Sequence, residues 1–204
     1  MPELPEVETI RIGLEPRLVG RRFDRVEILD PRLTRPLDPR EVAAELEGER
    51  VSGVERRGKY LVVRFETVRA LLIHLRMTGT LQHAADGFAA DDDPYRRAVV
   101  RLDDGSDVAY RDVRRFGTWL LLEPGELDPY LDVRVGPELL GSRAAPDKLL
   151  PRLANRRAPI KALLLDQRLF AGVGNIYADE ALWWARIHPL RPAGELVPDE
   201  VSNL

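Results

Sequence analysis

The 204 residues carry 31 Lys and Arg against 34 Asp and Glu, a formal net charge of −3, and are 44% hydrophobic. That length suits one large domain or two small ones with a buried core, and no apolar run is long enough to span a bilayer. With no cysteine in the chain, disulfides, thiol catalysis and a cysteine-based zinc site are excluded within it, and with no signal-peptide pattern at the start an intracellular location is expected.

Net charge weighs against a nucleic-acid partner, since dedicated binders are usually basic. The cations are nonetheless 28 Arg and three Lys (Lys59, Lys148 and Lys161), and Arg is the better side chain for planar contacts to phosphates and bases. Arg152, Arg156, Arg157, Lys161 and Arg168 fall within one short stretch, which leaves room for a locally basic face on an acidic chain.

Val7, Ile10, Leu14 and Leu18 recur at helical spacing and predict a helix from about Pro5 to Val19, with Pro5 in its first turn and Gly20 at its end. A strand follows near 22–29, then a Pro-rich loop over 31–39. Asp38, with Glu41 three residues on, opens a short helix through Leu46. From 50 to 122 the pattern turns to short β-type runs, at 50–56, 60–66, 70–76, 98–102, 108–111 and 118–122. Asp103-Asp104-Gly105-Ser106 makes a hairpin turn between two of them. Such runs indicate a β-sandwich or barrel-like core. The acidic stretch 84–94 is expected to be a mobile, solvent-facing loop. Pro124, Gly125, Pro129, Gly136, Pro137 and Gly141 make 124–141 linker-like, and helices follow at 147–156, 159–169 and 175–186, with a further segment from Pro198. The fold class is therefore α+β: an N-terminal domain, residues 1–130, with its own N-terminal helix, then an all-helical domain over 131–204.

Four stretches can carry chemistry. Met1-Pro2-Glu3-Leu4-Pro5-Glu6-Val7-Glu8 places two prolines and three acids at the extreme N-terminus. It reads as a helix start; it also reads as a nucleophile with acid/base helpers, because removal of Met1 frees the secondary amine of Pro2. An α-amine has a pKa near 7.7–8.0, so roughly a tenth is neutral at pH 7. Such an amine attacking a sugar C1′ gives a cationic iminium, and neighbouring carboxylates can move the protons. Arg56-Arg57-Gly58-Lys59-Tyr60 is a basic turn that is either a solvated hairpin tip or a phosphate contact. His74-Leu75-Arg76-Met77-Thr78-Gly79 and Asp112-Val113-Arg114-Arg115-Phe116-Gly117 set bulky and cationic side chains beside a Gly. Met77 and Phe116 fit core packing, or a wedge that fills the gap left by an extruded base while Arg114 bonds its orphaned partner. In the stretch from Leu169 to Glu180, Gly172 and Gly174 separate two helices and Asn175 is the expected N-cap, a place where backbone N–H groups bind phosphate. The histidines, His74, His83 and His188, are not spaced as a metal set and read as structural or surface residues.

Taken together, Met1–Thr9, Arg57–Tyr60, His74–Gly79, Arg114–Gly117, Gly136-Pro137-Glu138, Asp166-Gln167 and Gly172–Glu180 resemble the formamidopyrimidine-DNA glycosylases, in the family's order and over nearly the whole chain. The resemblance implies a bifunctional bacterial base-excision repair enzyme that excises oxidised purines such as 8-oxoguanine and formamidopyrimidines, then nicks the strand as an abasic-site lyase. It implies a β-sandwich followed by a helix-two-turn-helix DNA-binding domain. Pro2 is then the Schiff-base nucleophile, Glu3 the acid/base and Glu6 its support, while Lys59 contacts a lesion-flanking phosphate. Met77, Arg114 and Phe116 fill the void, and Lys161, Gly174, Asn175 and Tyr177 belong to the phosphate-binding helical turn. The implied partner is double-stranded DNA with oxidised bases or abasic sites, met by a monomer in the bacterial cytoplasm, at the nucleoid. Two departures stand out. The family's four-cysteine zinc finger would lie beyond Leu204, so no cofactor is expected in this chain, which reads as truncated. Tyr95-Arg96-Arg97 stands where relatives often carry a histidine. A truncated, non-catalytic DNA-binding relative and an endonuclease VIII-like enzyme acting on oxidised pyrimidines are the alternatives.

Overall fold

The computed structural model describes residues 2–88, 93–138 and 146–204, with backbone alone for 146–148. The chain forms two compact units, Met1–Asp128 and Pro129–Leu204.

The first unit starts with helix α1 (Leu4–Leu18), whose N-cap Glu3 is extended at φ −106°, ψ −166°. Pro5 sits in the first turn, where its missing N–H costs nothing. The Glu6 carboxylate reaches back to accept from the Glu3 N–H at 2.8 Å, satisfying one of the orphan donors of a helix start. Leu4, Val7, Leu14 and Leu18 turn inward. Strand β1 (Phe23–Ile28) leads to helix α2 (Pro39–Leu46), where the Asp38 carboxylate caps the Arg40 N–H at 2.8 Å.

The remaining strands are β2 (Val51–Arg57), β3 (Tyr60–Phe65), β4 (Ala70–His74), β5 (Gly79–Ala84), β6 (Arg96–Leu102), β7 (Asp107–Asp112) and β8 (Thr118–Leu122). They build two antiparallel four-stranded sheets, ordered β1-β6-β7-β5 and β2-β3-β4-β8. Alternate residues of each sheet enter one shared core: Leu61, Val63, Phe65, Leu71 and Ile73 from one, Val26, Val100, Leu102, Val108 and Tyr110 from the other. Phe23 meets Phe65 edge-on at 5.4 Å, and Tyr110 meets Trp119 at 5.7 Å, both pairs crossing between sheets. This is the expected sandwich, closed on its flank by Leu14, Leu18, Val42 and Leu46 of the two helices.

Two elements depart from the sequence expectation. Gly79–Ala84 is a strand, pairing with β7 in register from Gly79↔Asp112 to Ala84↔Asp107. Helix α3 (Leu127–Asp132) occupies part of the stretch expected to be a linker. Of the acidic loop, 89–92 lie outside the described residues. Its flanks are pinned: the Phe88 N–H donates to Asp107 at 2.9 Å, and Asp93 pairs with Arg111 at 2.7 Å.

The second unit holds α4 (Pro146–Leu153), α5 (Ile160–Leu165), α6 (Asn175–Trp184) and α7 (Pro198–Ser202) around Leu153, Ile160, Leu164, Phe170, Ala178 and Leu182. The Gly136-Pro137-Glu138 motif is packed against the α5–α6 turn. The Gly136 N–H donates to the Gln167 carbonyl at 2.8 Å, and a Cβ on Gly136 would lie 2.2 Å from the Arg168 carbonyl oxygen. The Gln167 amide then fixes the turn, donating to Leu165 and Val173 carbonyls at 3.0 and 2.7 Å and accepting from the Gly172 N–H at 3.0 Å.

Candidate functional site

The N-terminal cluster is built by α1 and the β2–β3 hairpin. Pro2 is half-buried, Glu3 is 0% exposed and Lys59 is 9% exposed. A two-residue turn, Gly58-Lys59, joins the paired Arg57 and Tyr60, with Gly58 at φ +58° where a side chain would be strained. Arg56 holds this tip to the helix, donating to Glu8 at 2.9 Å and to the Gly58 carbonyl at 3.0 Å. Arg11 grips the same carboxylate at 2.8 Å, and these guanidinium bonds outweigh its burial and hold Glu8 below the usual carboxylate range. Burial pushes the Lys59 ammonium below the ordinary lysine value, while the charge of Glu3 pulls it the other way. Glu3, the residue after Pro2, and Lys59 at the hairpin tip therefore feel each other's charge. Glu6 is exposed, and its carboxylate serves the Glu3 backbone.

His74 belongs to this cluster, which its reading as a structural or surface residue does not anticipate. It pairs with Tyr60 across β3–β4, the rings meeting edge-on at 4.7 Å. Burial, then the charges of Arg76 and Lys59, push its pKa down to about 3. Its Nδ1 accepts from the Arg76 N–H at 3.0 Å, so the proton of this neutral ring resides on Nε2. A neutral N–H donor thus stands beside the Lys59 cation. The signal in the sequence was its place at the head of the His74–Gly79 motif; the pairing with Tyr60 is not visible there.

The second cluster joins the turns that follow β4 and β7. Met77 is 39% and Phe116 51% exposed, so neither is a core residue. The Arg114 guanidinium lies over the Phe116 ring, 5.0 Å from its centroid. Each turn contains an arginine in the left-handed region, Arg76 at φ +55° and Arg115 at φ +60°. Arg115 is held there by Asp30, donating at 2.6 and 2.9 Å. At the Tyr95-Arg96-Arg97 stretch, Tyr95 stacks under Arg111 at 4.9 Å, and Arg97 donates to the Asp112 carbonyl at 2.9 Å.

In the second unit the N-cap of α6 is Gly174, at φ −122°, and not Asn175, which is the first helical residue. A glycine there brings bare backbone to the helix start, with Asn175, Ile176 and Tyr177 exposed around it. Lys161 on α5 binds Asp179 at 2.7 Å. Asp179 is one turn beyond Asn175 on the same face, so Lys161 and the start of α6 share a surface.

Comparison with known proteins gives the same order of parts. Residues 1–119 match the formamidopyrimidine-DNA glycosylase N-terminal domain, and residues 135–204 match the formamidopyrimidine-DNA glycosylase H2TH domain. The chain belongs to the formamidopyrimidine-DNA glycosylase family. Among curated relatives, the formamidopyrimidine-DNA glycosylase of Symbiobacterium thermophilum is 52% identical over 206 residues, 100% of this chain and 66% of the relative. That of Chloroflexus aggregans is 48% identical over 205 residues, again 100% of this chain, and 73% of its own. Among solved structures, the Lactococcus lactis enzyme bound non-covalently to abasic-site DNA superposes with a TM-score of 0.90 at 35% identity. The match covers 98% of this chain and 76% of that one. The same enzyme with DNA containing an oxidised pyrimidine gives 0.91 at 35% identity, covering 99% and 75%.

The family's zinc does not fit the residues present. Its four-cysteine ligand set has no counterpart in a chain without cysteine, and the described residues contain no group of three His, Cys, Asp or Glu able to hold a metal. Among them, too, no helix is long and apolar enough to cross a membrane.

Proposed function

We propose that this chain is a DNA glycosylase and abasic-site lyase that excises oxidised purines, including formamidopyrimidines, through a Schiff base at Pro2. The observation that carries this reading is the burial of Glu3, the residue next to Pro2 in the chain, together with Lys59, whose ammonium feels the Glu3 charge. Once Met1 is gone, the Pro2 nitrogen attacks C1′ of the damaged nucleotide and the bond from C1′ to the base breaks. The sugar ring opens as O4′ takes a proton from Glu3, and C1′ is left as an iminium. That cation acidifies C2′; loss of a C2′ proton to the Glu3 carboxylate expels the 3′ phosphate and cuts the strand. Lys59 and the Nε2–H of neutral His74 grip a phosphate at the reacting nucleotide, a task for charge-assisted bonds. Met77, Arg114 and Phe116 occupy the space the base vacates. In the second unit the α6 start and Lys161 take a backbone phosphate.

Borohydride reduction with abasic-site DNA should leave a covalent complex at the N-terminal proline, readable by peptide mass. Glu3→Gln should lower excision by two to four orders of magnitude, roughly the worth of a general acid/base, while DNA binding persists. Equal trapping at another residue in a Pro2→Gly chain would refute the nucleophile assignment, and binding without trapping would identify a non-catalytic relative. Excision favouring oxidised pyrimidines would fit the second reading, which the Lactococcus complex with such DNA keeps in view.

A further inference from the structure

Asp112, the last residue of β7, is buried, and its two carboxylate oxygens face the two turns that carry Met77, Arg114 and Phe116. Its Oδ1 accepts from the Thr78 hydroxyl in one turn and from the Arg114 N–H, at 3.1 Å, in the other. Its Oδ2 accepts from the Gly117 N–H at 2.8 Å. The Thr78 hydroxyl, its one proton given to Asp112, accepts from the same Arg114 N–H at 3.0 Å. Residues 78, 112 and 114 thus close a ring of hydrogen bonds across the turns. Beneath it lies the Tyr110 hydroxyl, 2.4 Å from where a Cβ on Gly79 would sit and 1.6 Å from one on Gly117. Both glycines leave just enough room for the same phenol, so neither turn can settle closer to β7 without displacing it.

We propose that Thr78 and Asp112 clamp the two turns into a single insertion unit, so that Met77, Arg114 and Phe116 enter the duplex together. This rests on the void-filling role proposed for those three side chains. The physical reason is ordering. A base that leaves the stack opens its gap at once, and side chains ordered beforehand on one rigid support fill it without a further conformational loss. Thr78 and Asp112 touch no reacting atom in this scheme; they are positioning residues.

The test compares Thr78→Val, which keeps the shape and removes the hydroxyl, with Thr78→Ser, which keeps the hydroxyl. In the free chain, Thr78→Val should speed amide exchange at Arg114 and at Gly117, in the opposite turn, on the order of tenfold, as the loss of one hydrogen bond implies. Thr78→Ser should leave both amides protected. With lesion DNA, Thr78→Val should slow excision by about tenfold at saturating DNA, with trapping on preformed abasic sites less affected. Met77→Ala and Phe116→Ala should be non-additive with Thr or Ser at 78 and additive with Val. Unchanged exchange at Gly117 in the Val chain would overturn the clamp, and equal excision by the Val and Ser chains would overturn its role in insertion. Faster exchange in the Val chain, with a wild-type chain that excises no lesion, counts against the glycosylase reading and upholds the clamp.

Discussion

At the scale of single residues the first unit carries two groups whose titration works against it in acid. Folded His74 takes a proton only near pH 3, against an ordinary 6.5. Between those values the unfolded chain binds the extra proton, so stability falls as pH falls through that window, by up to about 1.4 kcal/mol per pH unit. Asp30 adds to this at the acid end. The Arg115 guanidinium holds its carboxyl below the usual range, so its contribution is present above the unfolded carboxylate value and is lost as pH drops through the folded one. Urea unfolding of the wild-type chain between pH 7 and pH 4 should show this slope, and His74→Gln should flatten it. A slope unchanged by His74→Gln would mean that the imidazole is already charged in the folded protein. The same protonation removes the Nδ1 acceptor that holds the Arg76 N–H, so acid should loosen the Met77 turn before the sandwich opens.

At the scale of elements, two short connections set where cations point. The Gly58-Lys59 turn relies on a left-handed glycine at φ +58°. Gly58→Ala should cost about 1–2 kcal/mol of stability, the strain of a Cβ in that region, and weaken abasic-site DNA binding by shifting Lys59. Thermal melts and binding isotherms on one preparation check both. On α5, Lys161 is held by Asp179, a carboxylate that a phosphate must displace or share. Asp179→Asn should tighten DNA binding and steepen its salt dependence by about one ion, since one more cation is free to meet a phosphate. Weaker binding would show that Asp179 orients the lysine instead. What the sequence leaves unread at this scale has physical causes. β5 lies at a sheet edge and of its residues only Gly79 is buried, so no hydrophobic alternation announces it. In α3, Pro129 falls inside a six-residue helix, where prolines and glycines read as linker. Asn175 satisfies every N-cap preference, yet the chain places Gly174 there, because that turn is shaped by Gln167 from behind.

For the whole molecule, the fold class was legible because the runs at 60–65 and 70–74 alternate into one core and the C-terminal third lacks such runs. The site was legible as motifs rather than as geometry. Glu3 and Lys59 stand 56 positions apart in the chain; only the Arg56–Glu8 contact and the β2–β3 turn, both tertiary facts, explain why they meet. The packing of His74 on Tyr60 is hidden from the sequence for the same reason. The tryptophans divide usefully between the units: Trp119 is buried in the sandwich, whereas Trp183 and Trp184 are each 79% exposed. Intrinsic fluorescence should therefore report the unfolding of the first unit almost alone, and Trp183→Phe with Trp184→Phe should leave the red shift on denaturation intact. Loss of that shift in the double variant would show that the pair is covered in solution.

Helix α1 begins at Leu4 with Glu3 as its cap, so a single residue separates Pro2 from regular helical backbone. With Pro2 in its proposed role, the nucleophile has no linker of its own and inherits its aim from the first turn of a helix. Exposure of that amine then becomes part of the catalytic design. One added residue turns the amine into an amide, and one lost residue removes the nucleophile, so this end of the chain tolerates no change of length. An affinity tag left on the N-terminus should abolish trapping completely, and a protease that cuts immediately before Pro2 should restore it.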